Sequence, residues 1–109
     1  MRDDPTRVRH ILECVEKILD WTKLGHDAFS QDPMMQSAVV HELEIIGEAS
    51  KALSKEFRAE HAKIPWREIA GLRDVLVHDY DSIDAEEVWR VIERDIPALM
   101  KELSPARFE

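Results

Sequence analysis

Four residues near the middle of the chain carry side chains suited to phosphate chemistry: Arg73, Asp74, His78 and Tyr80. An arginine is always protonated and can bind a phosphodiester, whereas a histidine gains and loses a proton near neutral pH. Together Arg73 and His78 could stabilise a charged transition state and move a proton without a metal. The same residues would also fit an ordinary helix end, with a surface arginine and a histidine stabilised by the helix dipole.

Helices must position these side chains, because apolar residues recur at three- and four-residue spacing through most of the chain. The pattern predicts helices over residues 4–24, 32–57, 66–78 and 84–103. Connections between them are short, and no segment alternates like a strand. We therefore expect an all-α fold, an antiparallel bundle of four to five helices, in a single domain over residues 1–109. Leu72, Val75 and Leu76 would hold the third helix against the bundle or against a second copy of it.

The predicted helices have recognisable starts. Asp4-Pro5 and Asp32-Pro33 each place an aspartate that can cap a helix before a proline that suits its first turn. Asp84, followed three residues later by Glu87, resembles a capping box.

Two residues could interrupt the predicted helices. Gly47 lies in the middle of the second helix, where glycine costs about 1 kcal/mol relative to alanine. Either another helix approaches closely at this position, or Gly47 is a tolerated weak position. Pro97 is expected to kink the fourth helix or to end its first half.

Composition limits the classes of function. The net charge is −8, from 23 acidic residues against 15 Lys and Arg, so any RNA contact must come from a local site or an assembled surface. No DNA partner is expected. No membrane partner is expected either, since no apolar run approaches the roughly 20 residues of a membrane span. The lone Cys14 is interpreted as a small core residue in a reducing compartment, and the protein as cytoplasmic.

A metal site is the least favoured explanation. His41 could share a helical face with Glu44 or Glu48, but this His-x-x-Glu order occurs once and reverses the order of known di-metal bundle sites. We interpret these as solvated side chains and expect neither metal nor cofactor, which leaves a metal-dependent bundle enzyme as a third hypothesis. The remaining histidines are interpreted as surface or capping residues: His10, His26 and His61.

The spacing Arg73-x4-His78-x-Tyr80 resembles the motif of the HepT-like toxins, which belong to the HEPN superfamily of helical ribonucleases. The resemblance extends along nearly the whole chain. Three further stretches resemble the family's second helix, its approach to the motif and its last helix: residues 41–50, 64–73, and 83–89 with 95–97.

The resemblance implies a homodimer in which the motifs of both copies line a shared cleft. Arg73 and His78 would be the catalytic pair of a metal-independent endoribonuclease acting on RNA, with a 2′,3′-cyclic phosphate as product. Asp74 departs from the family's usual polar residue, often Asn, and adds a negative charge beside the phosphate site. It could instead orient His78, four residues further along the predicted helix.

The resemblance also implies a partner. HepT-like toxins are paired with a minimal nucleotidyltransferase antitoxin, which transfers AMP from ATP to the motif tyrosine. That residue would be Tyr80, the single tyrosine of the chain. The alternative is a non-catalytic binding or regulatory subunit of a nucleotidyltransferase complex, which the net charge of −8 and Asp74 favour.

Overall fold

Seven helices and one short hairpin make up the described part of the chain. The computed structural model describes residues 3–79 and 82–105, with Arg73, Val75 and residues 77–79 described by their backbone alone. In chain order the elements are α1 (Asp4–Trp21), α2 (His26–Ser30), α3 (Pro33–Ala52), α4 (Lys55–Glu60), α5 (Trp66–Ala70), α6 (Leu72–Leu76), β1 (Val77–Asp79), β2 (Ser82–Ile83) and α7 (Ala85–Leu103). The predicted all-α class is confirmed.

The three long helices α1, α3 and α7 form the frame of the bundle, with α1 packed against both of the others. Their inward faces carry the predicted apolar stripes, which are fully or almost fully buried: Val8, Ile11, Leu12, Val15 and Ile18 of α1, Val39, Leu43 and Ile46 of α3, and Val88, Val91, Ile96 and Leu99 of α7. Each such side chain contributes about 1.5–3 kcal/mol through burial. Within the described residues, no helix is long and apolar enough to cross a membrane.

All three predicted helix starts are confirmed, and at two of them the aspartate caps the helix as predicted. The Asp32 carboxylate accepts a hydrogen bond from the backbone N–H of Met35 at 3.0 Å, and Asp84 accepts one from the backbone N–H of Glu87 at 3.1 Å. The capping role predicted for Asp4 is wrong, because Asp4 is already the first helical residue. Its carboxylate accepts hydrogen bonds from the backbone N–H and the hydroxyl of Ser54 instead, at 2.9 and 2.6 Å, and so joins α1 to the start of α4.

The second predicted helix is shorter than expected. The helix α3 ends at Ala52, where Leu53 adopts extended backbone angles. Ser54 then caps a separate helix, α4, by accepting a hydrogen bond from the N–H of Phe57 at 3.0 Å. A serine hydroxyl that satisfies an unpaired N–H of this kind favours a new helix start over continuation of the old helix.

The third predicted helix is divided and is followed by strands that the sequence did not indicate. Gly71 separates α5 from α6, and α6 ends at Leu76. The next residues form an antiparallel pair, with Val77 opposite Ile83 and Asp79 opposite Ser82. Strands of two and three residues are too short to produce a visible alternation of apolar and polar residues.

Pro97 does not end the fourth helix, because α7 runs without a break from Ala85 to Leu103. The ring of Pro97 is exposed to solvent. The expectation that this proline would divide the helix is therefore wrong, since packing of the inward face on both sides of it holds α7 together.

Gly47 lies where α3 touches the backbone of α5. A Cβ atom at this position would lie 3.2 Å from the carbonyl oxygen of Ile69 and 3.3 Å from that of Ala70. Both distances are shorter than ordinary van der Waals contacts of a Cβ atom. The expectation of close approach at Gly47 is therefore confirmed.

The start of α7 is attached to α2 through His26. The Nε2 atom of His26 lies 3.0 Å from Oε2 of Glu86, and its Nδ1 atom lies 3.4 Å from the carboxylate of Asp27. The indole of Trp89 contacts the rings of both His26 and Phe29. Hydrogen bonds to Glu86, and then to Asp27, raise the pKa of His26 above its ordinary value. His26 is thus a link between two elements rather than only a surface residue.

The contact at Gly47 predicts that alanine destabilises the fold more at position 47 than at position 71. Gly47→Ala should lower the free energy of unfolding by about 1 kcal/mol, because overpacking against fixed carbonyls outweighs the gain in helix propensity. Gly71→Ala is the matched control, since a Cβ atom there meets its nearest neighbour at an ordinary 3.5 Å. Urea denaturation measures both. A Gly47→Ala variant at least as stable as the wild type would contradict the close approach.

The link at His26 predicts a stability difference that depends on pH. Because folding raises the pKa of His26, its stabilising contribution is fully present below the unfolded value of about 6.5. The contribution is lost as the pH rises through the folded value. The difference in free energy of unfolding between the wild type and His26→Gln should therefore be larger at pH 5.5 than at pH 8.5. His10→Gln on α1, a change at an exposed histidine, is the matched control. A difference for His26→Gln that is no larger at pH 5.5 than at pH 8.5 would contradict the link.

Candidate functional site

The segment that carries the predicted motif is anchored by two leucines. Leu72 and Leu76 are buried, whereas Asp74 between them is exposed. The short helix α6 that bears them packs against both α3 and α7. The prediction that Leu72 and Leu76 hold this segment is confirmed, and the side chain of Val75 lies outside the described residues. Arg73 is therefore carried by a helix that is fixed on one side to the long helices of the bundle.

His78 lies beyond the end of that helix. Since α6 ends at Leu76, His78 is the middle residue of β1 and lies two positions past the last helical residue. The predicted helical geometry, with Asp74 and His78 facing each other four residues apart, is therefore wrong. The side chains of Arg73 and His78 lie outside the described residues.

The hairpin fixes the residues on either side of Tyr80. Asp79 and Ser82 are paired across the two strands. A backbone hydrogen bond from the N–H of Asp84 to the carbonyl oxygen of Leu76, 2.8 Å long, joins the end of α6 to the start of α7. Tyr80 itself lies outside the described residues. Its chain neighbours are thus held between the motif helix and α7.

On the side facing α3, α6 borders a small acidic cavity of about 100 Å³. Its lining includes the carboxylates of Glu44, Glu48 and Asp74, and one cation, Lys51, whose Nζ atom lies 3.1 Å from Oε2 of Glu48. His41 lies nearby, 3.9 Å from Glu44. Among the described residues there is no cluster of three or more metal-binding side chains. A polyanion would meet an unfavourable charge on this side of α6.

On the side facing α7, α6 borders a larger cavity of about 320 Å³. Leu72, Leu76 and Val91 supply an apolar floor, and Arg67 and Arg94 lie at its edge. The sequence pattern did not single out either arginine, because each belongs to the solvated face of its own helix. Arg67 and Arg94 line the same cavity because α5 and α7 lie side by side in the fold.

Cys14, the single cysteine of the chain, is buried and poorly nucleophilic. Burial, followed by a hydrogen bond to Glu42, raises the pKa of Cys14 to about 12. The interpretation of Cys14 as a core residue is confirmed. Glu42 was not anticipated; it is buried, and its Oε1 atom lies 3.9 Å from Nζ of Lys17.

His61 was interpreted as a surface or capping residue, and it does cap the end of α4, where its backbone N–H donates to the carbonyl oxygens of Phe57 and Arg58. It also connects two elements. Its Nδ1 atom lies 3.2 Å from Oε2 of Glu102 on α7, and its ring stacks on Phe57 of α4. Glu102 is 41 positions away along the chain. The sequence contains no local signal for such a pair, so the link depends on the folded arrangement of helices.

Comparison with known proteins assigns this sequence to a family. The family described as "Ribonuclease HepT-like" matches residues 11–106. The chain is 43% identical over 97 residues to a protein of Caldanaerobacter subterraneus subsp. tengcongensis named "Putative RNase TTE0752", covering 88% of this chain and 87% of that protein. It is 42% identical over 90 residues to "Probable ribonuclease HepT" of Thermococcus cleftensis, covering 82% of each chain.

A third relative extends over more of the chain. "Putative RNase MJ1380" of Methanocaldococcus jannaschii is 36% identical over 103 residues, which cover 94% of each chain. The search of solved structures found no significant match. The residues matched by the family, 11–106, include the larger part of α1 and all of α3, α6, the hairpin and α7, and the matches to the relatives extend over most of this chain and of each relative. The chain therefore belongs to the HepT-like ribonuclease family of the HEPN superfamily.

Proposed function

We propose that this protein is a metal-independent endoribonuclease that uses Arg73 and His78, and that it is the toxin of a toxin–antitoxin pair. The observation that carries the proposal is the placement of the motif in a chain of this family. Arg73 lies on a helix anchored by Leu72 and Leu76, and His78 follows two residues past the end of that helix. A short and firmly anchored helix followed by a strand can present both side chains to one substrate.

In the proposed reaction, His78 removes the proton from a ribose 2′-hydroxyl. The resulting oxygen attacks the adjacent phosphorus, and Arg73 stabilises the additional negative charge of the transition state. The bond from phosphorus to the 5′-oxygen breaks, and that oxygen takes up a proton from the protonated imidazole. The products are a 2′,3′-cyclic phosphate and a free 5′-hydroxyl. In the proposed homodimer, the motifs of two copies would line one cleft.

We further propose that a cognate nucleotidyltransferase blocks the site by transferring AMP to Tyr80. The tyrosine hydroxyl attacks the α-phosphorus of ATP, and pyrophosphate leaves. Asp79, which precedes Tyr80, and Ser82, two residues after it, are paired across the hairpin next to the strand residue His78. A phosphate added at this point would place negative charge where the RNA phosphate must bind, so substrate binding would be opposed.

The alternative function, a non-catalytic subunit of a nucleotidyltransferase complex, is favoured by one feature. Asp74 is exposed on the motif helix and belongs to the acidic cavity with Glu44 and Glu48. Such a surface opposes the binding of RNA phosphates on that side of α6. The two functions differ in whether the isolated protein cleaves RNA.

The nuclease proposal predicts that His78→Ala abolishes growth arrest and lowers RNA cleavage by about 10²–10⁴-fold, because proton transfer is lost. His10→Ala is the matched control, since His10 is an exposed histidine on α1. Cleavage of a labelled single-stranded RNA by the purified proteins measures the effect. A His78→Ala variant as active as the control would exclude the mechanism, and a wild type that cleaves no RNA would favour the alternative subunit function.

The modification proposal predicts a gain of one or more AMP groups on co-expression with the neighbouring nucleotidyltransferase. The gain should be absent from Tyr80→Phe and present in Ser82→Ala, which removes a hydroxyl from the other strand of the hairpin. Intact-protein mass spectrometry measures it. An unchanged mass with an active transferase, or a gain retained in Tyr80→Phe, would contradict the assignment.

A further inference from the structure

Two cavities lie beside each other along the face of α7 that meets α5 and α6. The first, of about 210 Å³, has Ile64, Ile69 and Leu99 in its lining. The second is the cavity of about 320 Å³ beside α6. Asp95 lines both cavities, so they are adjacent. We call the two cavities together the α7 furrow. It follows α7 from Glu87 to Glu102, which at 1.5 Å per residue corresponds to about 22 Å.

Among the residues that the structure describes, the lining of the α7 furrow carries as many cations as acids, although the chain has a net charge of −8. Four cations line it: Lys63, Arg67, Arg94 and Lys101. Four acidic residues line it as well: Glu68, Glu87, Asp95 and Glu102. Three of these acids are engaged with cationic or ionisable partners, since Glu87 pairs with Arg90, Asp95 lies 3.1 Å from Arg94, and Glu102 lies 3.2 Å from His61.

Three cations of the furrow remain available to a ligand. Within the described part of the chain, Lys63, Arg67 and Lys101 are exposed and have neither an ion pair nor a hydrogen bond. Of the four lysines outside the furrow, three are engaged by carboxylates, Lys17 by Glu42, Lys23 by Asp20 and Lys51 by Glu48, whereas Lys55 has no ion pair with a described residue. Cations without carboxylate partners are the groups that bind phosphates and release counterions when they do so.

The charge beside α6 decides which side a polyanion can occupy. On the α3 side, the described lining residues include three carboxylates, Glu44, Glu48 and Asp74, and one lysine, Lys51, which is paired with Glu48. On the α7 side, the described lining of the furrow carries as many cations as acids and begins at Leu72 and Leu76, the residues that flank Arg73. Phosphates that continue away from Arg73 therefore meet repulsion toward α3 and unpaired cations toward α7.

We propose that the α7 furrow binds the single-stranded RNA that extends from the cleavage point, with Lys63, Arg67 and Lys101 contacting its phosphates. This inference rests on the proposed ribonuclease function. The apolar floor of the first cavity suits an unpaired base, because a cavity of about 150 Å³ already accommodates one benzene ring. A duplex would hide its bases and could not use that floor. The length of the furrow matches a few extended nucleotides.

The test measures binding of a fluorescent single-stranded RNA by anisotropy, in a His78→Ala background that leaves the RNA intact. Lys63→Gln/Lys101→Gln should weaken binding about tenfold at low salt and reduce the slope of log affinity against log salt by about 1.4, the value for two lost phosphate contacts on a single strand. Arg9→Gln/Lys55→Gln removes two exposed and unpaired cations outside the furrow and should change neither quantity. Duplex RNA of the same length should bind more weakly than the single strand.

The outcomes separate this inference from the proposed function. Equal affinity and equal salt slope in the two double variants would overturn the furrow as an RNA site, whatever the catalytic result. Weaker association between copies in the furrow variant, seen as a lower mass in solution with unchanged RNA affinity, would show instead an interface between two copies. A wild type that cleaves no RNA would overturn the nuclease, while the anisotropy comparison would still decide whether RNA occupies the furrow.

Discussion

The close approach of α3 and α5 at Gly47 is the constraint on which the placement of the motif depends. A Cβ atom at position 47 would lie 3.2 and 3.3 Å from two carbonyl oxygens of α5, which is closer than ordinary contact. This contact brings α5 against the bundle, and α6 follows after one residue. Since α6 has five residues, it has little stability of its own and takes its position from α5, from the buried Leu72 and Leu76, and from the long helices. The strand that carries His78 follows from there.

Much of this frame could be predicted from the sequence, because it depends on local signals. Helical periodicity located the apolar faces of the long helices, and aspartate caps located two of their starts. The errors occurred where a distant contact determined the outcome. The carboxylate of Asp4 binds Ser54 rather than its own helix, and His61 binds Glu102 on another element. The hairpin was missed because its strands are too short to show a period.

The candidate site was predictable in a different sense. The residue types and spacing of Arg73, His78 and Tyr80 indicated phosphate chemistry, but the sequence could not show on which elements they lie. A continuous helix to His78 would have set Asp74 and His78 face to face; the end of α6 at Leu76 removes that relation. Arg67 and Lys101 gave no signal, since each lies on the exposed face of a different helix. Net charge was a poor guide to RNA binding, because a polyanion responds to the charges near its binding site and not to the total. Most of the acidic residues along α7 already have partners.

The buried thiol of Cys14 has a practical consequence. It is the single cysteine of the chain, and a pKa of about 12 leaves almost none of it as thiolate at neutral pH. Because thiolate is the form that reacts with maleimides and disulfides, the native fold tolerates these reagents without modification of the core. A cysteine introduced at an exposed position such as Ser82 would then be the one thiol that reacts readily with these reagents. The chain is thereby suited to carrying a single spectroscopic label next to the hairpin, with no need to replace its natural cysteine.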